Sequence, residues 1–367
     1  MKKLLISIYL SIFCSICFAQ NINISPLFHS NEIIQFEVSG NFSEAFNKAY
    51  AGIPDGIFPP VRVKDPFFGK LKYTSDQGEL VQLDVKLKVR GQSSLQECAF
   101  PKIQITVFDD IQRKQSIFHK AKRVKIGTHC GDRPVDAPKG TIGRLVNEIA
   151  TYRESFIYVL HKIFDMPSLL SRPTFIKWID TTAGIPENKK TTIRMALVFE
   201  NIKNLAKREG AQLMKDEVWD KEVLENYSDL EKMKMILFQA MIGNWDWQFP
   251  SGKSSYSHNL YILRGSDGVT RAVPYDFDLA SIVTGRILRH YPKGYQPGKT
   301  NFYKNIYYLL DQRIKEFDRS IFEEIKSYFL TKEFVVKAAP ESYPLDEDGR
   351  SNIQVHIEVF YQILRDI

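Results

Sequence analysis

The spacing of apolar residues along the chain changes near its middle. Residues 31–110 alternate as half-buried strands do, and from Val81 to Val89 every second residue is valine or leucine. The segments PKIQITVFDD and KRVKIGTHC predict two further strands. From Thr141 the apolar residues recur at helical spacing, in GRLVNEIATYRESFIYVLHKIF. The pattern predicts a β-rich first half that contains one long helix.

The second half of the chain is predicted to be mainly helical. SRPTFIKWIDTT and TTIRMALVFEN are strand-like, but helical patterns dominate after Glu200. Ser228 and Glu231 form a capping box, which predicts a helix that runs to about Ile242. Two short strands, NLYILRG and VTRAVPYDF, follow it. Closing helices are predicted at residues 301–335 and 350–367.

The first 19 residues have the pattern of a secretory signal. Lys2 and Lys3 precede an apolar run that ends in small residues, with a cleavage position after Ala19. The run is too short to span a bilayer, and no later segment is apolar for long enough. We therefore expect a signal peptide at residues 1–19 and a secreted or periplasmic mature chain without a transmembrane anchor.

Cleavage of this signal leaves two of the four cysteines, Cys98 and Cys130. In an oxidising compartment two thiols predict one disulfide, the alternative being two separate buried thiols. The formal net charge of +7 falls by two when Lys2 and Lys3 are removed. This mild excess suits phosphate-bearing ligands, but no stretch is strongly basic, so the sequence does not indicate nucleic-acid binding.

Oxygen-bearing side chains cluster between residues 243 and 280. Asp246 follows Gly-Asn-Trp, Asn259 follows a histidine, and Asp276 and Asp278 flank a phenylalanine after a predicted strand. Such residues are also common in turns. Phosphoryl transfer needs a lysine for the phosphates, a glutamate to hold it, an aspartate at the acceptor hydroxyl, and an amide plus a carboxylate for Mg²⁺. The chain offers these residue types in that order.

The lysine and the glutamate of this set each have two candidates. Lys102 and Lys125 both belong to strand-like segments, and either satisfies the need for a phosphate-holding lysine. Glu148 is preferred over Glu154 as its partner because it falls in the first turns of the predicted helix. If neither lysine reaches the phosphates, the protein binds nucleotide without turning it over.

Five segments together resemble the CotH family of secreted, atypical kinase-like proteins. They are KVRGQSS…FPK, NEIATYRES, ALVFENI, GNWDW…HNLYIL and VPYDFDLA, which lie between about Leu80 and Ala280. The resemblance implies an α+β, protein-kinase-like two-lobed fold, with a β-rich N-lobe containing one helix (residues 20–200) and an α-rich C-lobe (201–367). It also implies ATP with Mg²⁺ or Mn²⁺, and transfer of the γ-phosphate to Ser or Thr hydroxyls of an exported protein.

The resemblance assigns a role to each candidate residue. Asp246 would orient the acceptor hydroxyl, with Lys102 and Glu148 completing the catalytic set. The implied metal ligands are Asn259, Asp276 and Asp278. The implied nucleotide-binding residues are Arg90, Ser93, Ser94, Lys102, Lys125 and Glu200, the last where the lobes would join.

The sequence departs from the family pattern at two points. Thirteen positions separate Asp246 from Asn259, whereas an ordinary kinase catalytic loop needs about five, so the inserted WQFPSGKSSYS must loop out. Where the family has two adjacent lysines, this chain has Lys102 and Ile103. The second departure leaves the choice between Lys102 and Lys125 open.

Other functions share parts of this pattern. Glycosyltransferases and aspartyl phosphatases also use Asp-x-Asp after a strand, but both need alternating parallel strands and helices around it. Here an antiparallel-looking sheet precedes the motif and helices follow it. The stronger alternative is a catalytically silent kinase-like protein with a binding or envelope-structural role, because ATP is scarce outside the cytoplasm.

Overall fold

The structure is a computed structural model that describes residues 24–51, 65–91, 98, 100, 102–129, 148–215, 225–244, 246–249, 257–285, 306–307, 310–311 and 313–367. The strands are β1 (Ile34–Gly40), β2 (Phe67–Thr74), β3 (Leu80–Val89), β4 (Ile103–Val107), β5 (Arg123–Gly127), β6 (Ser171–Asp180), β7 (Thr191–Glu200), β8 (Ala211–Leu213), β9 (Leu260–Gly265) and β10 (Thr270–Pro274). The α-helices are α1 (Phe42–Ala51), α2 (Asp110–Lys114), α3 (Ile149–Ile163), α4 (Ile202–Arg208), α5 (Asp229–Ile242), α6 (Ser281–Thr284), α7 (Arg319–Ala338) and α8 (Glu347–Asp366).

The strands from β1 to β7 form one closed barrel, in the order β1-β2-β3-β4-β5-β7-β6. Neighbouring strands are antiparallel except at the closure, where β1 runs parallel to β6. There Ile34 lies opposite Thr174 and Gly40 lies opposite Asp180. This one parallel pairing joins the first strand to one far along the chain and leaves the sheet without an edge.

The barrel interior is filled by the apolar residues that the alternation predicted. In β3, Leu83, Val85, Leu87 and Val89 are buried, and they belong to a cluster that also contains the fully buried Trp178. Because successive side chains of a strand point to opposite faces, the polar residues between them lie on the outside of the barrel. The barrel therefore has an apolar centre and a polar outer face.

A second hydrophobic core lies between the remaining helices and a three-stranded sheet of order β10-β9-β8. Helix α3 packs against β6 and β7 on the outside of the barrel, and it also contacts α6 and α7. Helix α5 begins as predicted, since the Ser228 hydroxyl accepts a hydrogen bond from the Glu231 amide at 3.3 Å. Helix α3 is therefore the element that connects the barrel surface with the helical core.

The expected protein-kinase-like two-lobed fold, with a single helix in its β-rich half, is wrong. The sheet of the first half closes into a barrel, and α1, α2 and α3 all lie in that half. Alternation shows which face of a strand is buried, but it does not specify which distant strand completes the sheet. In addition, the buried residues of α3, which belongs to the predicted first lobe, pack in the same hydrophobic core as helices that follow residue 200.

Several predicted features lie outside the described residues: the signal at residues 1–19, Ser93, Ser94 and Cys130. Cys98 is fully buried, and its disulfide with Cys130 stays a prediction. Among the helices of the described chain, none is both long and apolar enough to cross a membrane.

Candidate active site

Three cationic residues lie side by side on the outer face of the barrel. Val89, Ile103 and Ile126 point into the barrel core, so their polar neighbours point outward. The Arg90 amide donates to the Lys102 carbonyl at 2.8 Å, which extends the pairing of β3 with β4. Strand β5 adjoins β4. These three side chains line a cleft between the barrel and the second sheet: Arg90, Lys102 and Lys125.

Lys102 forms an ion pair across this cleft. Its Nζ lies 3.2 Å from Oδ1 of Asp276, and its side chain is only 19% exposed. Burial alone would lower the pKa of Lys102, but the charge of Asp276, followed by that of Asp278, outweighs it and holds the pKa above its ordinary value. Lys102 is therefore charged at neutral pH and fixed by the carboxylate that follows β10.

Lys125 has a different environment, although it faces the same cleft. Its Nζ donates to the Tyr261 hydroxyl at 2.9 Å and lies 5.1 Å from the centre of the Tyr261 ring. Tyr261 stacks on Tyr275, with ring centres 4.2 Å apart. Burial, assisted by the nearby Arg90, lowers the pKa of Lys125 to about 7. The Lys125 ammonium group is thus held by the neutral side chain of Tyr261 and not by a carboxylate.

The two candidate glutamates of α3 lie in different places. Glu154 lines the cleft, where its Oε1 accepts a hydrogen bond from the Phe277 amide at 3.4 Å. Burial and the charges of Asp276 and Asp278 raise the pKa of Glu154 to about 8. Glu148 instead lies 3.5 Å from Arg194. Of the two, Glu154 is the glutamate that the fold brings to Lys102.

Asp246 and Asn259 are in contact despite their separation in sequence. The pairing of Gln248 with His258 closes the loop between them. The Asn259 side-chain nitrogen donates to the Asp246 carbonyl at 2.7 Å and to its Oδ2 at 3.1 Å. Because both partners accept only, the amide nitrogen must face Asp246, and the amide oxygen of Asn259 faces elsewhere. The contact is the one that the predicted loop-out requires, while residues 250–256 of the inserted segment lie outside the described residues.

His258 also contacts Asp246, with Nε2 at 3.2 Å from Oδ1. This hydrogen bond raises the pKa of His258, an effect that burial opposes and that the charge of Asp276 reinforces. His258 therefore holds the Asp246 carboxylate in place.

Asn259 and Asp276 meet where β9 begins and β10 ends. Leu260 pairs with Pro274, and the Tyr275 amide donates to the Asn259 carbonyl at 3.1 Å. Asn259 and Asp276 both have left-handed backbones, with φ of 53° and 64°. Asn and Asp tolerate this conformation better than other non-glycine residues, which explains these residue types at these positions.

The donor set of the cleft fits Mg²⁺ or Mn²⁺. Asp276 and Asp278 line the cleft and offer hard carboxylate oxygens. Asn259, whose amide oxygen is also a hard ligand, lies beside the cleft, directly before β9. Mg²⁺ commonly takes one or two carboxylates and completes its shell with water and phosphate oxygens. The described residues contain no cluster of three or more His, Cys, Asp or Glu side chains that could hold a metal ion.

Two residues that position this site were missed by the sequence reasoning. Gly243 ends α5 with φ of 62°, and its carbonyl accepts from the Ser281 amide at 3.0 Å. The fully buried Asn244 donates to Gln239 at 3.0 Å, and its Oδ1 accepts from the Asp246 amide at 3.1 Å. In the sequence, the Gly-Asn pair directly before Trp-Asp was the signal that could have identified these two residues.

Glu200 lies in a structural ion pair at the end of β7. It is buried, and its Oε1 accepts from Arg208 at 2.7 Å and from the Leu170 amide at 2.8 Å. Burial raises the pKa of Glu200, with Arg208 opposing. The Glu200 carboxylate is thus engaged through Oε1 within the protein, whereas the neighbouring Phe199 lines the cleft.

The cleft itself is narrow. Its volume is about 80 Å³, whereas ligand pockets commonly measure roughly 300–1,000 Å³. A phosphate group and a cation fit this space, but a whole nucleotide needs the cleft to widen or to extend beyond the described residues.

Comparison with known proteins leaves the family of this chain open. No family model matches the chain, and no curated protein does so. Among solved structures, it is similar to a proinflammatory kinase, CtkA, from Helicobacter pylori, at 7% sequence identity and a TM-score of 0.35. The match covers 72% of this chain and 94% of that one. A likeness of this degree decides neither the fold nor the activity, and the CotH resemblance rests on the quoted segments alone.

Proposed function

We propose that the protein is an ATP-dependent phosphotransferase that acts in an exported compartment on Ser or Thr hydroxyls of another exported protein. The observation that carries this proposal is the convergence of separate segments at the cleft and at the loop beside it. Lys102 is paired with Asp276 at 3.2 Å, and Asn259 donates to Asp246 at 2.7 and 3.1 Å. These cationic, acidic and amide groups are of the kinds that a triphosphate with its cation needs, which supports the proposal.

Each residue has a defined task in this proposal. Lys102 and Arg90 neutralise phosphate charge, while Glu154 supports Lys102 from α3. Asn259 and Asp276 hold the cation, assisted by Asp278, and the cation supplies charge neutralisation at the phosphate oxygens. The Asp246 carboxylate orients the acceptor hydroxyl and takes its proton. The hydroxyl oxygen then forms a bond to the γ-phosphorus as the bond from that phosphorus to the ADP oxygen breaks.

A radiolabelled-ATP assay on the purified mature chain tests the activity. We expect self-labelling that needs Mg²⁺ or Mn²⁺. Asp246→Asn should lower transfer by roughly 10²–10⁴-fold, as loss of a general base does, and leave nucleotide affinity unchanged. Full transfer by Asp246→Asn would remove this residue from the chemistry and with it the assignment.

The second candidate is a catalytically silent protein with a binding or envelope-structural role. Two observations favour this candidate. The cleft is narrow, with a volume of about 80 Å³, and Lys102 is already paired with Asp276. Thermal unfolding with ATP and Mg²⁺ or Mn²⁺ separates the two candidates. A ligand at 100 times its Kd stabilises by about 2.7 kcal/mol, whereas an unchanged Tm at saturating nucleotide supports the silent protein.

A further inference from the structure

The two lysines of the cleft differ in what compensates their charge. Lys102 is paired with the Asp276 carboxylate. Lys125 has the Tyr261 hydroxyl and ring, and within the described part of the chain it forms no salt bridge. A buried ammonium without a carboxylate is unfavourable unless an anion reaches it. Lys125 is therefore the better receptor for a ligand anion.

A glycine keeps the barrel surface next to Lys125 free of a side chain. Gly127 follows two residues later on β5 and thus shares its face, and it also lines the cleft. A Cβ at Gly127 would come within 3.0 Å of the Phe199 ring, so a side chain there would narrow the cleft. Arg90 lines the same cleft and lowers the pKa of Lys125 by its charge. Two cations thus face one small space.

The present partner of Lys125 belongs to the loops that carry the cation ligands. Tyr261 lies two residues after Asn259, and its stacking partner Tyr275 directly precedes Asp276. A ligand phosphate close to Asn259 and Asp276 would therefore lie within reach of Lys125. In the free protein, the hydrogen bond to Tyr261 holds the Lys125 side chain in this position.

We propose that Lys125, together with Arg90, forms the anion-binding subsite of the cleft, and that Lys125 exchanges the Tyr261 hydroxyl for a phosphate group of the ligand. The inference deepens the proposed function and rests on it for the identity of the ligand as a nucleoside triphosphate. The subsite itself requires only a phosphate chain.

Proton uptake is the expected signature of this exchange. With a pKa of about 7, Lys125 is partly neutral at neutral pH in the free protein, and a bound phosphate favours its charged form. Binding should therefore weaken as the pH rises from 6 to 8. The other ionisable groups that face this space are Arg90, Lys102, Glu154, Tyr158, Tyr261, Tyr275, Asp276 and Asp278.

Titration calorimetry with metal-free inorganic triphosphate, at pH values from 6 to 8, tests the subsite. Lys125→Gln should weaken binding about tenfold or more, as loss of a charged hydrogen bond does. Lys125→Arg should retain binding but lose the part of the pH dependence that comes from Lys125, because arginine does not titrate in this range. Tyr261→Phe should bind at least as tightly as the unaltered protein, since no hydroxyl then competes.

Two controls make the outcomes decisive. Lys177→Gln removes an exposed barrel lysine paired with Glu37 at 3.0 Å and should change nothing, and circular dichroism confirms that each variant is folded. Triphosphate binding by Lys125→Gln within about twofold of the unaltered protein, or no binding by the unaltered protein, overturns the inference. Lys125-dependent triphosphate binding without any transfer from ATP leaves the inference standing and removes the proposed function.

Discussion

The two walls of the cleft are built by different means. The barrel wall places Arg90, Lys102 and Lys125 at outward positions in or beside paired strands, where the backbone ladder fixes their direction. The opposite wall places Asp276 on a left-handed backbone, a conformation that Asn259 shares in the adjoining loop, and side-chain hydrogen bonds hold that loop. A substitution on the barrel wall should therefore remove one side chain without moving the backbone. A substitution on the loop wall should remove the functional group and also disturb the backbone that carries it.

The largest effect is expected on the loop wall, at Asp276. Asp276→Asn keeps a residue that tolerates φ of 64° but removes the charge that pairs with Lys102. We expect metal-dependent nucleotide binding to weaken and transfer to fall by about 10²-fold or more, as when one electrostatic contact to the transition state is removed. Radiolabelled transfer and calorimetry measure the two quantities. Asp278→Asn is the matched control, with a smaller loss, and equal losses would make Asp278 a ligand of the same rank.

The next effect concerns the turn that holds the loop wall. A Cβ at Gly243 would lie 2.6 Å from the Ser281 side chain, in addition to requiring an unfavourable φ of 62°. We expect Gly243→Ala to lower the free energy of unfolding by roughly 1–2 kcal/mol for the backbone and about 1–3 kcal/mol for overpacking.

Gly268→Ala is the matched control for this change. Its φ is also positive, at 77°, but a Cβ there meets nothing within 4 Å. Only the backbone cost should remain, as measured by urea denaturation. Equal losses of stability in the two variants would show that a methyl group added at Gly243 does not clash with Ser281.

A third prediction concerns Glu154, which lies between the two walls. Its pKa in the folded protein is about 8 against an ordinary value of 4.5, so between these values the folded state keeps a proton that the unfolded state has released. Stability should fall as pH rises through this interval, by at most about 1.4 kcal/mol per pH unit from this group. Denaturation of Glu154→Gln from pH 5 to 6.5 should show a flatter curve.

The titration of Lys125 limits the pH range in which the change in stability can be assigned to Glu154 alone. Its pKa is lowered to about 7, so the unfolded state binds more protons above that pH, and stability from this group rises with pH. Below pH 6.5 Lys125 is mainly protonated in both states and contributes little. An unchanged pH slope in Glu154→Gln would mean that this carboxyl is ionised in the folded protein.

The smallest effect is expected at Glu148, outside the cleft. It is partly exposed and lies 3.5 Å from Arg194, and exposed pairs of this kind contribute little. Transfer and stability of Glu148→Gln should stay within roughly twofold and about 0.5 kcal/mol of the unaltered protein. A large loss of transfer here, with none in Glu154→Gln, would return the supporting role to Glu148.

The sequence by itself determined the local features of this protein. Alternation in β3 showed which side chains face the barrel core, and the spacing of Ser228 and Glu231 showed where α5 begins, because both depend on neighbours along the chain. The oxygen-bearing set of Asp246, Asn259 and Asp276 was likewise visible as residue types in order.

Only the tertiary structure decided which of these residues meet. The parallel pairing of β1 with β6 closes the barrel, and the fold brings Glu154, in place of Glu148, to Lys102. It also gives Lys102 a carboxylate and Lys125 a tyrosine. Periodicity within a segment specifies a face but not its distant partner, and such partners are selected by the packing of the whole chain.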